Sequence, residues 1–458
     1  MGVTAQLAAT ICTVDFGALP ATVISRTVRA IADGVAVAVA GCDQTPITLM
    51  ARHVRDLGAR PVSSVWCLGF RASPVQAAYV NGMAVHVLDF EPMWSPPTHA
   101  VSPTVPVAFA LAEARGCDGR DVIAAVAKGM EVQSRLLLAG DQYEPERLRF
   151  HPPGVAGVIG ATVTAAHMLA LDELQLRHAI GIAASRCGTI LANVGTMTKA
   201  AHCGGAAAAG LESALLAAAG FCANPDVIEA PKGFASTYFP DAFDAAQLLD
   251  YGKPWRIVDP GLAIKLYPSQ YATHFAITAA LDLRRQVGCP EALAHIRITA
   301  PVMQYVDRPR PTTGLDGKFS LQYTAAVALL DGRVTIDSFT DERRSRPDVG
   351  GMLERIALVQ DDSIPGDWRR MRIEIDAQRS DGHRYRAVSR GPSGCWGQPQ
   401  VTAGELRSKL LDCFGRQFSP ADSEHLIGAL QDLEHAGPAR LADIVAFLSK
   451  RRISVEPS

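Results

Sequence analysis

From Pro20 the chain reads Ala-Thr-Val-Ile-Ser-Arg-Thr-Val-Arg-Ala-Ile-Ala-Asp-Gly-Val-Ala-Val-Ala-Val-Ala, with apolar positions at helical spacing. Pro20 suits a first turn and Gly41 a stop. The same period recurs over roughly 46–57, 73–88, 103–115, 121–138, 154–170, 172–184 and 204–220. Asp121 and Asp172 stand where N-caps belong, Gly140 and Gly220 where C-caps belong. The first half of the chain therefore reads as all helical. Two of its segments, Gly154 to Ala166 and Gly204 to Leu211, carry Gly and Ala on every face. That composition costs helix propensity, which only close backbone approach to a neighbour offsets, so both are expected as central, buried helices.

After Asp259 the pattern changes. His295 to Ala300, Arg355 to Gln360 and Arg372 to Ala377 alternate as strands do, and Asp381-Gly382 is a hairpin signal leading into His383 to Val388. Helical spacing persists at 271–286, 320–331 and 335–339, so 264–397 reads as a smaller α+β domain. From Thr402 helices return (402–413, 420–434, 438–449) and would most simply dock back on the first domain. The fold class expected is mainly α, with a helical domain over 1–263 to which 398–458 returns.

Composition narrows the function class. The chain has 458 residues, 48% of them hydrophobic and 6% aromatic, with a net charge of -2. Basic residues are scattered, and the one dense cluster, Glu342 to Arg346, sits beside acids and a proline, so no nucleic-acid partner is expected. The ten cysteines are dispersed with no C-x-x-C pair, which reads as reduced thiols of a cytosolic protein. No basic leader precedes Arg26, and charges such as Arg186 and Glu212 interrupt the apolar runs below membrane-spanning length, so a cytoplasmic protein with no membrane partner is expected.

Candidate chemistry begins at 80–104, where a helical run ends in Asp89 and Glu91, breaks at Pro92, Pro96 and Pro97, and delivers His99 beyond the break. An acid and an imidazole on irregular backbone between rigid segments can face a ligand. The same stretch also reads as a plain connector. His151 and the pair Lys199 and His202 directly precede the two small-sided helices, which aims them at the middle of the domain. A lysine there holds a carboxylate or, desolvated, acts as a base, and the helix end adds attraction for an anion. A second group, Lys265 to His274, lies at the domain crossover. Lys199 equally fits a surface lysine, and His274 a core histidine.

Asn81-Gly-x4-His86-x2-Asp89-Phe90, Phe150-His151-Pro152, Gly195-Thr-x-x-Lys199-x-x-His202-x-Gly204, Lys265-x-Tyr267-Pro268-x5-His274 and Lys318-Phe319-Ser320-x2-Tyr323 together resemble, in order and spacing, the MmgE/PrpD family. That family includes 2-methylcitrate dehydratase, cis-aconitate decarboxylase and iminodisuccinate epimerase. The resemblance implies a helical domain made from both chain ends, an α+β lid, a site between them with neither metal nor cofactor, and a homodimer. It places Asp89, His99, His151, Lys199, Lys265 and Tyr323 in the pocket, with His202 and His274 close by. Lys199 and Lys265 would hold carboxylates, His99 or His151 would move the proton, and Tyr323 would serve as acid or hydrogen-bond donor.

The departures bear on substrate. Members commonly read Asp-Phe-Asp-Asp-Thr where this chain has Asp89-Phe90-Glu91-Pro92-Met93, His-Pro-Ser where it has His99-Ala100-Val101, and the decarboxylase has a histidine where this chain has Gln270. Met93 and Gln270 are therefore expected to contact a substrate other than the tricarboxylate of the best-known members. Two activities follow from the resemblance. One is a lyase that removes an α-proton from a small di- or tricarboxylate-like substrate with loss of water or carbon dioxide. The other is an isomerase that returns the proton to the opposite face, with Tyr143 and Lys199 as its two bases. A binding protein without activity is the remaining alternative.

Overall fold

The computed structural model describes residues 1–94, 96–144 and 148–450. Two apolar cores organise them. One gathers side chains from Leu7 to Ile264 together with Val401 to Leu448; the other takes Met93 and residues from Ala263 to Trp396. The last three helices, Ala403–Phe414, Pro420–Gln431 and Pro438–Leu448, thus return to the first core, where Ala403–Phe414 packs on Ala21–Gly41. No described helix is long and apolar enough to cross a membrane.

The centre of the first core is built from helices that touch backbone to backbone. Pro74–His86 packs on Thr198–Ala218, which packs in turn on Ala156–Met168. A Cβ on Gly204 would stand 2.4 Å from the Tyr79 carbonyl oxygen, and one on Gly210 would stand 2.6 Å from that of Val158. At Gly82 the clearance to the Gly204 Cα would be 3.1 Å. The glycines expected to allow close approach do so at these crossings.

The first half departs from an all-helical reading in one place. Ser63–Val65 and Phe70–Ala72 form a short antiparallel hairpin, tied to the Pro74–His86 helix by Asn81, which accepts from Trp66 N–H and donates to the Ser64 carbonyl. Strands of three residues are too short for an alternating pattern to register. Two boundaries also move. Asp118, rather than Asp121, caps Gly119–Ala139, with Asp121 completing the reciprocal capping box. The helix expected from 204 begins at Thr198, so Lys199 and His202 lie inside its first turns rather than ahead of it.

The second core surrounds a four-stranded sheet in the order Ile356–Gln360, Leu293–Ala300, Ile373–Arg379, Arg384–Ser389. The first pair is parallel and the others antiparallel. Alternate residues such as Ile296, Ile298, Ile373 and Ile375 are buried, under the helices Tyr271–Val287 and Leu321–Asp331. Between the two cores, Met93 and Ala263 exchange backbone hydrogen bonds of 3.0 and 2.9 Å, which fastens the 87–100 connector to the crossover.

The packing predicts opposite outcomes at adjacent glycines. Gly204→Ala forces a methyl into the Tyr79 carbonyl and should cost about 1–3 kcal/mol in denaturant unfolding. Gly205→Ala meets no heavy atom within 4 Å and should be neutral or stabilise by up to about 1 kcal/mol.

Candidate active site

The Pro74–His86 helix starts from a Ser73/Gln76 capping box and ends at His86. Asp89 then adopts a left-handed φ of 52°, a conformation that aspartate tolerates better than most residues. This turn is held by buried lysines from three distant parts of the chain. Lys318 Nζ donates to the Leu88 carbonyl (2.9 Å), Lys265 Nζ to that of Asp89 (2.8 Å) and Lys409 Nζ to that of Phe90 (2.8 Å). Lys409, on a helix of the C-terminal return, is also paired with buried Asp33 at 2.7 Å. Burial moves the Lys318 ammonium down to about 7, against the pull of Asp89.

The Asp89 carboxylate is bound from both sides, by Lys199 Nζ at 2.6 Å on Oδ2 and by Lys265 Nζ on Oδ1. Burial opposes its charge, yet the two ammonium groups hold the carboxyl well below its ordinary range. Lys265 completes its set of donors on the Ser269 carbonyl at 3.0 Å. Lys199 sits in the first turn of its helix, where the positive helix end disfavours a cation, and Asp89 offsets that cost.

Four histidines lie beside this pair. Glu91 Oε1 is 2.5 Å from His86 Nδ1 and 3.1 Å from His99 Nδ1, the latter off the angle of a hydrogen bond. His99 Nε2 is 3.7 Å from Asp89. His151 Nδ1 is 3.2 Å from His202 Nδ1, so one donates and the other accepts. Burial, reinforced by Lys199, drives the His151 imidazole well below its usual value; burial also lowers His99, against the pull of Glu91, and brings His86 to about 4. Near neutral pH these rings are uncharged and can accept a proton.

A cavity of about 240 Å³ opens on the cluster. Its wall includes Asp89, Met93, His99, His151, Lys199, Lys265 and Gln270 of the residues nominated from sequence. His202 stands behind His151. His274 is a core histidine, edge-on to the Tyr267 ring and tilted against that of Tyr271, with Nε2 3.3 Å from the Ser269 carbonyl. Tyr323 is not part of the wall: it is buried in the second core and its hydroxyl donates to the Ser338 carbonyl at 2.5 Å. Tyr143 is also absent from the wall, its ring lying 4.2 Å beneath the Arg369 guanidinium. The phenols that do line the cavity are those of Tyr271 and Tyr305, and the Tyr305 hydroxyl accepts from Gln270 Nε2 at 3.3 Å. Tyr305 lies in the single 3-10 turn Gln304–Val306 beyond the strand Leu293–Ala300, and its place just past a strand end was the available sequence signal.

For a metal ion, His86, His99 and His151 form one group of candidate ligands and Asp89, Glu91 and His99 another, each with ligand atoms within 4.8 Å of one another. Asp89 already has two ammonium partners. The arrangement can hold an anion at Lys199 and accept a proton on a neutral imidazole in a largely desolvated space.

The depressed histidines set a direction for stability. His86 and His167, both brought by burial to about 4, are neutral in the fold but take up a proton in the unfolded chain below about 6.5. The unfolded state binds more protons in that window, so stability falls as pH drops from about 6.5 towards 4. Denaturant unfolding as a function of pH checks this. A constant unfolding free energy across the window would contradict neutral burial.

Comparison with known proteins gives the cluster a context. The MmgE/PrpD N-terminal domain matches residues 5–246 and the MmgE/PrpD C-terminal domain residues 267–435. Cis-aconitate decarboxylase of Mus musculus is 31% identical over 424 residues, covering 90% of this chain and 86% of that protein. The cis-aconitate decarboxylase of Homo sapiens is 31% identical over 447 residues, 94% of this chain and 92% of its own length. A 2-methylcitrate dehydratase of Cupriavidus necator is 24% identical over 335 residues, 65% of each chain. Both domain matches fall in order along one chain, one on either side of the crossover that carries Lys265, and the chain belongs to the MmgE/PrpD family.

Proposed function

We propose that this protein is a lyase that removes a proton from the carbon next to a carboxylate of a small substrate, with loss of water or carbon dioxide. The observation that carries the reading is the convergence of a cation with free donors, Lys199, and neutral imidazoles, His151 and His99, on one cavity between the two cores. Similarity to proteins named as a decarboxylase and a dehydratase adds support.

In this reading Lys199 holds the substrate carboxylate and stabilises the charge that develops there as the α-proton leaves. His151 accepts that proton; its Nδ1 is engaged with His202, and Nε2 has no hydrogen-bond partner among the described residues. Asp89 keeps Lys199 in place. His99, between Asp89 and Glu91, or Tyr305 would give a proton to the departing hydroxyl where water is lost; where carbon dioxide is lost, the electron pair it leaves behind takes up that proton at carbon. These steps use only side chains of the wall, and the proposal adds no metal or cofactor to them. Residues 264–397 act as the lid. Homodimeric assembly, supported by the family resemblance only, and a cytoplasmic setting, supported by the dispersed free cysteines, belong to the same proposal.

The isomerase reading would require a second base on the opposite face. Its candidate, Tyr143, is turned to Arg369 and does not line the cavity. Retention of the whole charged cluster weighs against a protein that merely binds.

Proton NMR in deuterium oxide, with 2-methylcitrate, citrate, cis-aconitate, iminodisuccinate, malate and citramalate as a panel, tests the reaction class. A lyase produces a new alkene resonance or loses substrate to a decarboxylated alkene. Deuterium entering one α-carbon with no alkene would instead indicate an isomerase. For whichever compound turns over, Lys199→Ala and His151→Ala should each lower kcat/KM by about 10²-fold or more with the fold retained. Near wild-type turnover in either variant would refute the assignment.

A further inference from the structure

We infer that the junction between the two cores carries a binding site for a phosphate-type oxyanion, formed by Arg26 and Arg29 and separate from the histidine cavity. Two chain crossings between the cores, residues 257–264 and 394–401, meet beside the helix Ala21–Gly41. A cavity of about 30 Å³ lies where they meet, lined by Ile257, Leu262 and Ile264 of the first crossing, by Gly394, Gln400 and Val401 of the second, and by the two arginines of the helix.

Each arginine holds one crossing. Arg26 Nη1 donates to the Ile257 and Val258 carbonyls at 3.0 and 2.8 Å, and Arg29 Nη2 to the Val401 carbonyl at 3.3 Å. The crossings also hold each other. Trp396 Nε1 donates to the Gly261 carbonyl at 3.0 Å, and a Cβ on Gly394 would stand 2.5 Å from Val401 Cγ2 and 3.4 Å from the Ile264 carbonyl oxygen.

The first argument is the charge left over. A guanidinium offers five N–H donors. Arg26 spends two of its five on those carbonyls and Arg29 one, so three and four remain. Among the described residues no acid lines the cavity and neither arginine is ion-paired. Asp33, one turn on from Arg29, is held instead by Lys409 at 2.7 Å. The two guanidinium groups stand three positions apart on one half-buried helix face, where like charges repel and an anion between them removes the repulsion.

The second argument is shape. The planar guanidinium fork matches the oxygens of a phosphate in pairs. The remaining wall comes from aliphatic residues and Gly394, with Gln400 at the exposed rim. The cavity takes a phosphate group and little more, so the body of a phosphate ester would extend past Gln400 into solvent. An ion bound there ties both crossings to Ala21–Gly41 and thereby fixes how residues 264–397 sit on the helical core.

Calorimetric titration of the full chain with inorganic phosphate or glycerol 3-phosphate, at constant pH and ionic strength, tests the site without any assay of turnover. Its outcome is therefore separate from that of the catalytic reading. Lys199→Met, run beside the parent, controls for anions taken up by the histidine cavity. The expected result is one phosphate per chain that persists in Lys199→Met and is weakened roughly tenfold or more by Arg29→Gln. Gln400→Glu, an exposed substitution that sets a negative charge at the rim, should also weaken it. Amide hydrogen exchange over 257–264 and 394–401 should slow when phosphate is added. Equal binding of both probes would identify the phosphate group of an ester or the free ion alike as the part recognised, and binding of phosphate alone would identify the free ion. The inference is overturned by an absence of saturable phosphate binding, by binding that disappears in Lys199→Met, by binding indifferent to Arg29→Gln and Gln400→Glu, or by unchanged exchange at both crossings.

Discussion

The carboxylate of Asp89, held between the ammonium groups of Lys199 and Lys265, is the interaction on which the arrangement of this molecule turns. Each of its three members comes from a different segment: the connector after Pro74–His86, the first turn of Thr198–Ala218, and the crossover into the second core. Isolated ions at this depth would be prohibitive, and pairing removes most but not all of that cost. The cluster is better understood as fixing one geometry than as a source of stability. The carbonyls of Leu88, Asp89 and Phe90 strengthen the point, since each receives a lysine from a distant segment. Residues 88–90 are thus positioned by both cores and by the C-terminal return together, and the site forms only when all have assembled.

That dependence explains why the surrounding packing is so close. Glycines at 82, 204 and 210 let three helices approach to backbone contact, which gathers His86, Lys199 and His151 into one cluster. The same approach excludes water from the imidazoles and keeps them neutral at a pH where solvated histidine is partly protonated. Packing, electrostatics and proton chemistry are therefore one problem in this fold. Loosening the helices would raise the histidine pKa values as well as lower stability.

Much of this was legible in the residues. Helical period and glycine content marked the central helices, and the order of motifs brought Asp89, His99, His151, Lys199 and Lys265 to notice together. The losses have identifiable causes. Gly195-Thr-Met has the composition of a loop and lies outside the helix, which starts directly after it at Thr198, ahead of the Gly/Ala run expected to open it. Tyr323 satisfied a motif, but its place on Leu321–Asp331 turns the hydroxyl to Ser338; spacing alone does not say which face of a helix meets a cavity. Lys409 has the appearance of a solvated charge on an amphipathic helix, and its pairing with Asp33 and Phe90 spans more than 300 positions of sequence, a separation that no local pattern encodes. Tyr305 lacked any periodic signal because it lies in a single 3-10 turn, Gln304–Val306, too short to show a period.

The central claim is that one carboxylate both neutralises two buried lysines and sets the site. Denaturant unfolding of Asp89→Asn beside the double variant Asp89→Asn/Lys265→Met examines it directly. The account predicts that the single change, nearly isosteric, costs about 3–5 kcal/mol because it leaves buried charge without a partner, and that removing the Lys265 ammonium as well restores a large part of that loss. An Asp89→Asn protein as stable as the parent, or a double variant no more stable than the single one, would contradict it.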